Sequence, residues 1–160
     1  MMTEDYIKIV IPGNAIVKKN TAKVSSFYKN KQGTRVPRPY ALHYYSKAYK
    51  EWALKAIVAC QKFKEMHKEF EYPLQTQWNM MCRFYFDKLP FVDLSALYEA
   101  PQDILAGSSG IANVDVELYK IIEDDNIRFI ASHDGSRVLL DYINPRTEIV
   151  LTPFILKYEG

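Results

Sequence analysis

Alternation with a period of two is clearest over Gln77 to Phe86, where Trp78, Met80, Cys82, Phe84 and Phe86 interleave with Asn79, Met81, Arg83 and Tyr85. That pattern predicts a strand with one buried face. Shorter apolar runs predict strands at Tyr6 to Ile11, Val24 to Tyr28, Ile127 to Ala131, Arg137 to Tyr142 and Thr147 to Leu156. Pro12-Gly13 closes the first of them, and Asp134-Gly135 predicts a hairpin between the third and fourth. The period changes at Tyr49, Trp52, Ala53, Ala56, Ile57 and Cys60, which line one side of a helix capped by Ser46 and running to about His67. A second helical stripe follows Pro90: Leu94, Leu97, Pro101, Ile104 and Leu105 on one side, Ser95, Glu99, Gln102 and Asp103 on the other. Pro101 predicts a kink there or a division into two short pieces. Gly107 to Gly110 reads as a loop, and Ile111 to Lys120 as an insertion with a short helix. The sum is an α+β chain of one domain over residues 1–160: a mixed or antiparallel sheet of about five strands with two main helices packed on it.

Composition adds limits. Apolar residues make up 48% and charged residues 25%, ordinary proportions for a globular chain with a real core. No apolar run approaches the ~20 residues of a membrane span, and the opening MMTEDYIK lacks a signal-peptide pattern. Cys60 and Cys82 stand apart with no CxxC, so buried thiols in a reducing cytoplasm are expected.

The distribution of charge changes the picture more than its total. Residues 1–75 hold 14 Lys/Arg and 6 Asp/Glu, a net of +8, whereas residues 76–160 hold 7 and 13, a net of −6. The basic half is densest between Asn14 and Pro39, with Phe27, Tyr28 and Tyr40 interleaved; apart from the short strand it reads as an exposed loop. Such a segment suits gripping a phosphate backbone and stacking on unpaired bases. Lys18, Lys19, Lys23, Arg35 and Arg38 are its candidate phosphate contacts, joined by Arg137 downstream. The acidic half places Asp93 after the strongest strand, Glu99 on the helix face that follows, and Glu123-Asp124-Asp125 before another strand. Carboxylates drawn from several element ends are how proteins build oxygen-ligand sites for Mg²⁺ or Mn²⁺. The competing explanation is that acids occupy turns and helix faces because water is there.

The run D-L-x-x-L-x-x-A-x-x-D-x-L from Asp93, followed by E-D-D-x-I, resembles RusA-type crossover-junction endodeoxyribonucleases, small and mostly phage-borne enzymes. IPGNAIVKKN, YYSKAYKEW and SHDGSRV resemble that family's first strand, first helix and late hairpin, so the likeness covers roughly residues 6–155. The resemblance implies Mg²⁺-dependent cutting of branched DNA such as Holliday junctions, in recombination or repair. It also implies a homodimer, since a four-way junction has two-fold character, and a phage or prophage setting in a bacterial cytoplasm. Asp93 matches the first aspartate of the family's D-L-D motif and Asp125 its downstream aspartate, with Asp124 alongside.

Two positions depart from the family. Ser95 stands where the second motif aspartate belongs, and Glu99 stands where well-studied members carry an essential lysine. Glu99 could restore the missing carboxylate one helical turn away, so Asp93, Asp125, Asp124 and Glu99 are the expected catalytic and metal-holding residues. Arg137, His133 or a lysine of the basic arm would then supply the cation. The departures leave a second reading open: a branched-DNA-binding protein that cuts poorly or not at all.

Overall fold

The most apolar strand of the sequence is the centre of the main sheet. The computed structural model describes residues 6–18 and 22–157, and the side chains of these except 22–26 and 38–44. In it β1 spans Ile7–Pro12, β2 Ala22–Lys29, β3 Arg35–Tyr45 and α1 Lys47–Met66. After β4 (Trp78–Phe86) come a 3₁₀ turn (Leu94–Leu97), α2 (Glu99–Leu105) and a second 3₁₀ turn (Val116–Leu118). The chain ends with β5 (Ile130–Ser132), β6 (Arg137–Leu140) and β7 (Arg146–Pro153). The main sheet runs β1-β7-β4, antiparallel throughout, with β5 and β6 both added parallel to β4. The fold is thus α+β, with a mixed five-stranded sheet and two main helices, as the periodicities imply.

One face of that sheet carries the core. Trp78, Met80, Cys82, Phe84 and Phe86 of β4 are buried with Ile7, Ile9 and Ile11 of β1 and Ile149 and Leu151 of β7. Helix α1 packs on β1 and touches α2, burying Tyr49, Trp52, Ala53, Ala56, Ile57, Cys60 and Phe63 along one stripe. The Ser46 side chain accepts from the Tyr49 N–H at 3.3 Å, closing one orphan donor of the first turn. Removing Trp52 from this face should cost about 3–5 kcal/mol, because the cavity left cannot collapse fully. Cys60 and Cys82 are buried and unbridged. No helix among the described residues is long and apolar enough to cross a membrane.

The second helical stripe divides as Pro101 implies, but the break falls earlier, at Tyr98 between the 3₁₀ turn and α2. Pro101 becomes the third residue of α2, where its missing N–H would have had no intrahelical partner.

Three expectations need correction. Residues 35–39, expected as loop, belong to β3, which pairs with β2 as a separate two-stranded ribbon. Asn30 explains the turn: its side-chain oxygen accepts from the N–H groups of Gln32 (3.1 Å) and Thr34 (2.9 Å), while Gly33 takes a φ of +79°. Phe27 pairs with Pro37 but Ser25 with Leu42, and the slack on the β3 side takes up Pro39, which has no ladder donor.

Residues 126–129 form a turn rather than strand, because the Phe129 and Ile130 N–H groups both bond the Asn126 carbonyl at 2.9 Å. Ile127 is left 82% exposed.

The segment around Asp134-Gly135 is not a hairpin either. β5 and β6 do not pair with each other; both lie along the same edge of β4, at Trp78–Asn79 and Arg83–Phe86. Side chains fill the gap in the ladder: His133 Nδ1 donates to the Met80 carbonyl at 2.9 Å, and Ser136 Oγ accepts from the Cys82 N–H at 2.9 Å. Asn79 ties the turn itself, donating to the Asp134 carbonyl (3.2 Å) and accepting from the Asp134 N–H (2.8 Å).

Candidate acidic site and basic ribbon

The acidic triplet is anchored to the end of α2. The N–H groups of Ile121 and Ile122 both bond the Leu105 carbonyl, at 2.9 and 3.0 Å, and the Glu123 N–H bonds the Leu74 carbonyl at 3.2 Å. These bonds bring Asp125 into the electrostatic reach of Asp103, near the C-terminal end of the helix. Burial raises the proton affinity of the half-buried Asp125 carboxyl; a hydrogen bond with Asp124 and the negative charges of Asp103 and Asp124 raise it further. Asp124 is exposed and behaves oppositely. Its Oδ1 accepts from the Asp125 N–H at 2.8 Å and its Oδ2 from Asn126 Nδ2 at 2.6 Å, which holds its pKa below the ordinary value. Glu123 turns elsewhere, accepting from Gln75 Nε2 at 3.2 Å with the Lys120 ammonium at 4.0 Å.

Asp93 and Glu99 lie apart from that pair. Asp93 is exposed and leads the 3₁₀ turn, its carbonyl accepting from the Ala96 N–H at 3.1 Å and its side chain capping nothing. Glu99 is exposed as the first residue of α2, a full turn or about 6 Å before Asp103 along the axis. Among the described residues no three acids, histidines or cysteines converge closely enough to hold an ion. Asp93, Glu99, Asp124 and Asp125 therefore do not form one cluster in this structure, because the triplet is bonded to the end of α2 and not to its start. Mg²⁺ does not require such a cage; it keeps several waters and takes one or two carboxylates plus substrate phosphates. Asp125 and Asp103, with Asp124 beside them, fit that description by donor chemistry.

Asp103 has a partner that the sequence did not mark. Lys18 is only 7% exposed and its ammonium is ion-paired with Asp103, with the Ser108 carbonyl at 3.4 Å. The rings of Tyr45 and Tyr49 lie 5.1 and 5.6 Å from the ammonium. Burial alone would push the Lys18 ammonium down, but its bond to Asp103 and the surrounding charges outweigh that and keep it raised. Lys18 is thus not a surface phosphate contact, which corrects its expected role: a buried, paired ammonium cannot meet a DNA backbone without leaving Asp103. Nothing in the run Val17-Lys18-Lys19 marks Lys18 for burial.

The other basic residues divide by position. Lys19 lies outside the described residues, as do the side chains of Lys23 and Arg38. Lys29, Lys31 and Arg35 are exposed around the ribbon's turn, with Arg35 over the Phe27 ring at 4.2 Å. Phe27 and Tyr28 are 40% and 45% exposed there. No acid interrupts the chain between Asp5 and Glu51. Arg137 is exposed at the start of β6, its Nε 3.5 Å from the Gly135 carbonyl.

His133, one of the cations considered at the sequence level, is otherwise engaged. With Nδ1–H given to Met80, its Nε2 accepts from Gln102 Nε2 at 3.0 Å, and its ring stacks on Tyr98 at 4.0 Å. It splints α2 to β4.

No protein-family model matches the chain, and no curated protein is similar enough to stand as its relative.

Proposed function

We propose that the chain is a nucleic-acid-processing protein that joins a phosphate-gripping ribbon to a carboxylate site. The particular reading the site supports best is a Mg²⁺-dependent, structure-selective endodeoxyribonuclease acting on branched DNA. The observation that carries it is the half-buried Asp125 carboxyl, bonded to Asp124 and within the electrostatic reach of Asp103, in a chain whose first half carries a net positive charge. The likeness of the Asp93 and Glu123-Asp124-Asp125 motifs to RusA-type nucleases supports the same class. A homodimer on a two-fold junction and a phage-like, cytoplasmic setting belong to the same reading.

In this reading Lys29, Lys31 and Arg35 grip the DNA backbone, and Phe27 and Tyr28 offer faces for exposed bases. Asp125 and Asp103 would hold the divalent ion, which when bound polarises the scissile phosphate and activates a water. Asp124, kept ionised by its two hydrogen bonds, adds charge at the rim. Asp93 and Glu99, exposed at the approach to α2, would lie on the side from which substrate arrives.

A second reading, branched-DNA binding without efficient cutting, is favoured by Ser95 and Glu99 and by the cation already paired with Asp103. A synthetic four-way junction and a linear duplex, each with Mg²⁺ or with chelator, separate the two. Junction-selective, Mg²⁺-dependent nicking that Asp125→Asn abolishes supports the nuclease; salt-sensitive binding without nicking supports the second reading.

A further inference from the structure

The face of the main sheet turned away from the core carries an unusual row of charge. Strand register aligns Val10 of β1, Glu148 of β7, Arg83 of β4 and Arg137 of β6 across it. The next residue of β6, Val138, packs against the core opposite Phe84, which puts Arg137 on the open face beside Arg83. Neighbouring strands lie ~4.8 Å apart, and like charges directly opposite each other destabilise a sheet. The single acid of the row does not cancel them. Glu148 is taken by the Lys8 ammonium at 3.5 Å and the Arg146 guanidinium at 3.6 Å, and Arg146 pairs with Asp141 as well, at 2.8 Å. Arg83 is half-buried and has no hydrogen bond or ion pair among the described residues. Arg137 has only the Gly135 carbonyl, 3.5 Å from its Nε. Two adjacent guanidiniums without an acid are the arrangement that a bridging anion relieves.

A cavity of about 530 Å³ adjoins them, within the range of small-ligand sites. The next row along the strands, Lys8, Val150 and Met81, lines it, with Arg83 on one side and Tyr6 and Thr152 on the other. The site therefore sets an apolar surface and an exposed tyrosine ring beside a pair of phosphate-binding groups.

We infer that the open sheet face binds a single-stranded nucleic acid, with a backbone phosphate bridging Arg83 and Arg137 and the adjoining base in the cavity over Val150 and Met81, against Tyr6. Charge complementarity selects this occupant. The outward positions of β1, β4, β6 and β7 carry Lys8, Arg83, Arg137 and Arg146 against Glu148 alone, and the two central arginines are the ones left without an acid. The cavity separates a strand from a duplex, since a duplex offers phosphates but keeps its bases paired. Stacking and apolar contact with an unpaired base are indifferent to its identity, so the face should bind with little sequence preference. The inference goes beyond the reading above and uses none of its carboxylates; a chain that never cuts DNA would still have this surface.

The test is fluorescence anisotropy of the full chain, without divalent ions, across a salt titration. The probe is a labelled oligothymidylate of roughly twenty nucleotides, longer than the ~4–16 that one small domain covers, compared with a labelled duplex of the same length. Arg83→Gln and Arg137→Gln should each weaken strand binding about tenfold, as the loss of a charged donor to phosphate implies. Each should also reduce the log–log salt slope by about 0.7, the value for one phosphate contact on a single strand. Both variants should melt no lower than the wild type, because each removes a like-charge neighbour. Thr152→Glu, which adds a carboxylate at the cavity wall, should weaken the strand more than the duplex and keeps the test decisive if an arginine variant folds poorly. A lower melting temperature with unchanged strand binding makes the arginines structural and overturns the inference. So do equal losses for strand and duplex, which remove the base from the cavity. Thymidine monophosphate bound as tightly as the strand overturns it in favour of a free-nucleotide site, and inorganic phosphate competing equally well reduces the face to an anion site. Oligoglutamate bound as tightly as the strand reassigns the face to an acidic protein partner.

Discussion

Replacing His133 with alanine tests whether this residue belongs to the fold or to catalysis. The substitution leaves the Met80 carbonyl without its donor, a loss of about 1–3 kcal/mol for a largely buried acceptor. It also removes the stack on Tyr98, whose ring lies 4.0 Å away and 2° from parallel, worth about 0.5–1.5 kcal/mol more. Together these make about 2–4 kcal/mol, a fall in melting temperature of roughly 5–15 °C for a chain of this size. Asparagine at 133 can return a donor to Met80 but not the stack, so it should recover about half of the loss. The assay pairs thermal unfolding by circular dichroism with single-turnover junction cleavage well below the lower melting temperature. The expected result is a large thermal shift with cleavage reduced no more than severalfold. An unchanged melting temperature together with lost cleavage would refute the reasoning and make His133 a catalytic group.

The other predictions concern charge and burial. Changing Lys29, Lys31 and Arg35 together to alanine should weaken binding to every DNA shape and reduce the log–log salt slope by about three, roughly one per phosphate contact; an unchanged slope would make the ribbon idle. Glu99→Gln, at an exposed position apart from Asp124 and Asp125, should keep most cleavage, whereas a loss as large as that of Asp125→Asn would restore it to the metal set. Cys60 and Cys82 have their thiols pushed up to about 12 by burial, so at pH 8 a thiol reagent should label the native protein only on unfolding. Because these folded-state values lie above those of the unfolded thiols, the stability they contribute is whole below about pH 8.5 and declines as pH rises toward 12. A double Cys60→Ala, Cys82→Ala variant should show a shallower alkaline decline in melting temperature.

What the amino-acid order determined by itself is the set of elements that bury a face. The period of two in β4 and the stripe on α1 each specify which side chains leave water, and both elements have those faces buried. Ser46 starts α1 because its oxygen serves a local donor, a matter of three residues. Pro101 divides the second helical stripe for an equally local reason, although the position of the break depended on where α2 could begin.

Only the tertiary structure decided the partners across the chain. Asp134-Gly135 makes its turn as turn chemistry requires, yet β5 and β6 both join β4, because side chains of Asn79, His133 and Ser136 complete the ladder between them. The basic segment reads as loop because its prolines and lysines disfavour a central strand, and a free-standing ribbon tolerates both. The acidic site follows the same rule. Asp93, Glu99 and the triplet are visible as acids, but which of them face one another depends on Leu105 receiving the backbone of Ile121 and Ile122. The ion pair of Lys18 with Asp103 joins residues 85 positions apart. No local pattern carries that information, since a lysine declares its burial only when the surface that encloses it has been assembled.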